Sequence, residues 1–192
     1  MVAVKKTAGL LLMLAASTTP QGLSATEQNR VAQFFVKPSD VQVPRGLDWG
    51  QYRRIVQPFE NWTLICDEDL KKKEKVCNIS QTIIDRFNKQ VFSWSLAATR
   101  DGAPMMILRA PSGTNTRVPL RVIFPGREKP VLVDYRGCDE LVCIAIMAVG
   151  AIAREHIGRS SDLSFIYALD VGRQVTVSAP LQGLKSALEA IR

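Results

Sequence analysis

Trp62-Thr63-Leu64-Ile65-Cys66 (WTLIC) and Val76 to Ile84 (VCNISQTII), separated by the charged run Asp67 to Lys75 (DEDLKKKEK), decide the fold class. Both flanking stretches are rich in β-branched and aromatic residues, and the second alternates apolar with polar, the period of a half-buried strand. The charged run between them reads as a hairpin loop. If the two strands pair, Cys66 and Cys77 face each other across the hairpin, as a disulfide requires.

The same pattern continues toward the C-terminus. Phe87 to Gln90 is a turn, and Val91 to Ala98 (VFSWSLAA) sets Phe92, Trp94 and Leu96 on one face and Val91, Ser93 and Ser95 on the other. Arg100-Asp101-Gly102 and Pro111-Ser112-Gly113 are turn signals around a strand at Pro104 to Ala110. Arg117 to Phe124 and Val131 to Tyr135 are further strands, parted by Pro125-Gly126-Arg127. Gly137-Cys138 to Cys143 closes a small loop. Ile144 to Ile157 reads as an edge strand running into a short helix, with Arg154, Glu155 and His156 toward solvent. Leu163 to Leu169 and Gln174 to Ser178 form a last hairpin. Leu181 to Ile191 is an amphipathic helix with Leu184, Leu188 and Ile191 on one stripe. Many short strands with frequent turns predict a mostly β sandwich or barrel.

Toward the N-terminus the texture changes. Met1 to Lys6 carries two lysines, Thr7 to Ser17 (TAGLLLMLAAS) is a short apolar run, and Leu23-Ser24-Ala25 is a small-residue cleavage site. That order is a secretory signal peptide over residues 1–25, too short in its apolar part to span a bilayer. Residues 26–57 read as a tether, with Pro38, Pro44 and Gly46; its stretch Val31 to Val36 is apolar enough for a short helix or strand. The body is expected over residues 58–192. The net charge of +7 falls to +5 once Lys5 and Lys6 leave, a balance that favours contact with anionic surfaces without selecting one.

Four cysteines, Cys66, Cys77, Cys138 and Cys143, in an exported chain favour two disulfides. Of the three pairings we expect Cys66–Cys77 and Cys138–Cys143, since each closes one short loop. A zinc site is the rival reading. Ten and four intervening residues are wider than the usual knuckles.

Catalytic signals are sparse. The single histidine, His156, sits among charges and reads as a surface residue. No nucleophile elbow, metalloprotease helix or phosphate-binding glycine loop occurs. The chain therefore reads as no enzyme, with no cofactor and no metal. Asp67-Glu68-Asp69 and Asp139-Glu140 read as solvated loops. The binding candidates are the basic tip of Lys71, Lys72, Lys73 and Lys75, and Arg53 and Arg54 beside Trp49 and Tyr52, where a cation–π contact is open. The aromatics are expected to pack onto the body. The partner expected is an anionic envelope surface or another envelope protein, with membrane contact peripheral at most and no nucleic acid. The alternatives are a nucleic-acid-binding OB-like module, prompted by the basic charge, and a thiol-redox protein using Cys138 and Cys143.

Trp62, Leu64 and Cys66 followed by Val76, Cys77, Ile79 and Gln81 make W-x-L-x-C and V-C-x-I-x-Q, which resemble the opening of the invasion-associated locus B family. Tyr135-Arg136-Gly137-Cys138 with Cys143-Ile144-Ala145 is similar to its second cysteine loop. Leu181-Gln182-Gly183-Leu184 is similar to its closing segment, with Leu184 where an aromatic is common. The resemblance covers about Phe59 to Arg192. It implies an immunoglobulin-like β-sandwich, a periplasmic or outer-membrane-associated place in Gram-negative bacteria, and a family named for host-cell invasion by some pathogens. It implies no agreed biochemical activity.

Overall fold

The computed structural model describes residues 36–98 and 102–191. The expected signal peptide, the Val31–Val36 element up to residue 35 and the Arg100-Asp101 turn lie outside them. The chain divides into two compact units, residues 1–39 and 40–192, and the fold below is that of the second.

Alternation of apolar and polar residues produces eleven strands: β1 Tyr52–Phe59, β2 Trp62–Asp69, β3 Glu74–Ile84, β4 Gln90–Ala98, β5 Pro104–Pro111, β6 Leu120–Ile123, β7 Val131–Val133, β8 Tyr135–Cys138, β9 Val142–Ala148, β10 Leu163–Ala168 and β11 Gln174–Ala179. Two helices, α1 Ala151–Arg159 and α2 Leu184–Glu189, complete the chain. The strands form a seven-stranded sheet, in the order β1-β2-β3-β4-β5-β9-β8, and a four-stranded sheet, β11-β10-β6-β7. All recorded pairings are antiparallel.

The sandwich core lies between the sheets. Trp62, Leu64, Ile79, Phe92, Trp94 and Leu108 from the first meet Leu120, Val122, Phe165 and Val177 from the second, all buried. Aromatic rings span the gap: Phe92 stacks on Phe165 at 4.8 Å, and Trp94 meets Phe165 edge-on at 5.2 Å. Each such pair adds roughly 0.5–1.5 kcal/mol to the burial of its area. The Tyr167 hydroxyl donates to the Val91 carbonyl at 2.9 Å, so a polar bond also ties the layers.

The β-sandwich, the two helices and the hairpins appear as the sequence predicts, with four differences of detail. First, the sheet begins at Tyr52, inside the segment read as a tether, because Arg53 and Arg54 find carboxylates across the strand. Second, the charged run is mostly ladder: β2 reaches Asp69 and β3 restarts at Glu74, leaving Leu70 to Lys73 as the turn. Third, β9 is no edge strand. It lies between β5 and β8, because the chain crosses sheets between Val133 and Tyr135 and returns as β8 to cover it. Fourth, His156 is buried rather than at the surface. Its ring tilts against Phe124 at 5.2 Å and its Nδ1 lies 3.1 Å from Ser161 Oγ.

Candidate functional site at the hairpin tip

The cysteines fix the frame of the site. Cys66 lies directly opposite Cys77 on β2 and β3, bonded at 2.08 Å, and Cys138 lies opposite Cys143 on β8 and β9, bonded at 2.00 Å. Among the described residues no cysteine is free, so no thiol stands ready as nucleophile or zinc ligand. Three ladder pairs separate the first bridge from the turn: Asp67 with Val76, Glu68 with Lys75, and Asp69 with Glu74.

The turn is built from its own charges. Asp69 Oδ1 accepts the backbone N–H groups of Lys71 and Lys72, each at 3.0 Å, and Lys73 takes a left-handed φ of 58°. The backbone N–H of Lys72 leads in holding the Asp69 carboxyl below its usual range. This Asx-type turn places Lys71, Lys72 and Lys73 at the end of the sheet, while Lys75 lies on β3 opposite Glu68.

The structure separates the six basic candidates into two groups. Arg53 pairs with Glu68 at 2.6 Å, and Arg54 grips Asp67 with two hydrogen bonds at 2.7 and 3.1 Å. The Tyr52 hydroxyl also donates to Asp67. Arg54, first, then Tyr52 hold the Asp67 carboxyl below its usual range despite partial desolvation. The arginines are thus occupied within the sheet. Lys71 and Lys72 are only loosely matched, at 3.6 Å from Asp48 and Asp69. Lys73 and Lys75 make no ion pair among the described residues. Exposed pairs of this kind contribute about 0–1 kcal/mol, so Lys71 and Lys72 are only weakly held.

The expected cation–π contact is distant: the Arg54 guanidinium carbon lies 6.0 Å from the Tyr52 ring centre. Trp49 does not pack onto the body; it is 78% exposed. Beside the tip lies a hollow of about 160 Å³ lined by Gly46, Leu47, Asp48, Gln51, Asp69, Lys71 and Lys72. Its mixed charges suit a surface contact rather than an enclosed ligand.

A larger hollow of about 430 Å³ opens between the sheets, beside Glu60, Gln81 and Pro180. It brings together no pair of acid and base. Its polar group of note is Gln81, which the sequence marks only as the end of V-C-x-I-x-Q. Gln81 is buried, its Nε2 donates to the Pro180 carbonyl and its Oε1 accepts from Trp94 Nε1, both at 2.8 Å. Its part is structural: it ties β3 to the segment that ends in α2. Asp139 is likewise occupied. Its Oδ1 takes the N–H groups of Leu141 and Val142, each at 2.8 Å, which closes the β8–β9 turn.

A family model described as "Invasion associated locus B (IalB) protein" matches residues 62–192. It begins at the first residue of β2 and includes both disulfides. The crystal structure of invasion associated protein b from Bartonella henselae superposes with a TM-score of 0.61 at 17% identity, covering 71% of this chain and 94% of that one. At that identity the likeness is one of fold. No curated protein is significantly similar.

Proposed function

The chain belongs to the invasion associated locus B family, and from that premise we propose that it is an exported envelope protein, a binding or structural module rather than an enzyme. In this reading the signal peptide over residues 1–25 is removed and the mature protein is periplasmic or outer-membrane-associated. Two disulfides support an oxidising compartment. The hairpin tip of Lys71, Lys72, Lys73 and Lys75 engages an anionic envelope surface or another envelope protein. The protein then serves host-cell interaction or envelope integrity.

The observation that carries the proposal is the division of charge at the tip. Arg53 and Arg54 are held by Glu68 and Asp67, whereas Lys73 and Lys75 have no ion pair among the described residues, on a hairpin braced by Cys66–Cys77. Charge reversal at Lys71, Lys72, Lys73 and Lys75 should release the protein from the envelope fraction. A salt wash should release the wild type likewise, because exposed charges are screened. Unchanged retention of the variant would contradict the proposal.

A further inference from the structure

The outer face of the seven-stranded sheet, turned away from the second sheet, carries a charge that no carboxylate among the described residues pairs with. Two cross-strand rows meet there: Ser93, Arg109 and Ile144, and beside them Ser95, Ile107 and Ile146. Arg109 is half-buried. Its Nη1 donates to Ser95 Oγ at 3.0 Å, and it makes no ion pair among the described residues. Burial alone pushes its pKa below the ordinary guanidinium value, and no neighbouring charge contributes. By contrast, Arg53, Arg54 and Arg159 each hold a carboxylate.

A guanidinium offers five donors in a planar fork. Partial removal from water without a counter-ion disfavours the charged guanidinium, and an anion against the fork would offset that cost. Ser93 lies directly across from Arg109; its Oγ receives Gln90 Nε2 at 3.4 Å, which leaves its own O–H free to donate. A carboxylate or a phosphate can accept from both the fork and the hydroxyl, and the apolar surface beside them favours an anion that carries an apolar portion. Ile107, Ile144 and Ile146 border the site and are only partly covered. The two rows hold no carboxylate, so nothing within them would answer Arg109 in a second copy of this face.

We propose that this face receives the phosphate of an anionic phospholipid, with the Arg109 fork and Ser93 hydroxyl on the headgroup and the three isoleucines against the acyl portion. The site shares no residue with the hairpin tip and stands or falls separately from it.

The test uses the full-length protein as the cell processes it, floated with vesicles of phosphatidylglycerol or of phosphatidylcholine. The wild type should float with the first and not the second. Arg109→Gln should lower that binding by about tenfold, the scale of one lost charge-assisted contact. Arg109→Lys should fall between them, since an ammonium keeps the charge but lacks the fork. In the unmodified protein the Arg109 Nε resonance should shift on adding phosphatidylglycerol, and should do so equally in the variant with the tip lysines reversed. That second reading is independent of whether Arg109→Gln folds. Flotation of Arg109→Gln at the wild-type level, or an unmoved Arg109 resonance, would overturn the proposal. A shift produced by inorganic phosphate but not by vesicles would overturn the assignment to a lipid.

Discussion

Gly183 shows how one residue couples distant parts of the chain. It has a φ of +85°, and a Cβ built there would lie 2.5 Å from the Phe59 carbonyl oxygen. Gly172, with a φ of +79°, has nothing within 4 Å of the same position. Gly172→Ala should therefore cost only the left-handed conformation, about 1 kcal/mol. Gly183→Ala should cost about 3 kcal/mol or more, because backbone must also move. Denaturant unfolding of the two variants checks the contrast. The L-x-G motif was legible in the sequence; its reason was not, because Phe59 lies far away in the chain. Tyr135 offers a second test. Its hydroxyl is buried with no hydrogen-bond partner among the described residues, and burial, with Tyr167 nearby, pushes its pKa from 10.0 up to about 12. The unfolded chain loses this proton first, so stability is full below pH 10.0 and falls as pH rises toward about 12. Tyr135→Phe should reduce that alkaline loss and leave stability at neutral pH unchanged or slightly higher. Tyr167, also raised by burial, keeps the remainder. An unaltered alkaline profile would refute the assignment.

Among the elements, strands with period two were the most legible, since the alternation in Val91 to Ala98 maps directly onto buried Phe92, Trp94 and Leu96. Strand order was less so. The greasy run after Cys143 suggested an edge, but whether β8 returns to cover it depends on a crossing at residue 134 that has no local signature. His156 was misread because Arg154, Glu155 and Arg159 surround it in sequence. The helical spacing of Ala153 and His156 puts both on the buried side of α1, and that spacing is present in the sequence. The disulfides were legible because cysteines in paired strands bracket short loops. With sequence separations of 11 and 5, their removal should cost about 3 kcal/mol for Cys66–Cys77 and about 2 kcal/mol for Cys138–Cys143. The first value should be a lower bound, since Cys66 belongs to the core cluster and Cys143, though buried, does not. Unfolding of the paired Cys→Ala variants measures both. A larger loss for Cys138–Cys143 would mean that the β8–β9 hairpin, not the basic one, organises the sheet.

At the scale of the whole fold, residues 40–192 form a sandwich, and the proposed binding chemistry lies on its outer surfaces. The basic tip was visible in the sequence as a run of lysines. The silence of Arg53 and Arg54 was not, because their partners Glu68 and Asp67 become neighbours only when β1 pairs with β2. Arg109 was hidden for the converse reason: a single arginine in an apolar strand gives no sign that its surroundings lack a carboxylate. Both surfaces matter only if the protein reaches the envelope in its bridged form. The most direct measurement is cell fractionation followed by a non-reducing mass map of the protein. The account predicts a chain in the envelope fraction that begins near Thr26 and carries Cys66 joined to Cys77 and Cys138 joined to Cys143. A cytoplasmic chain that keeps Met1 to Ala25 and has free thiols would contradict it.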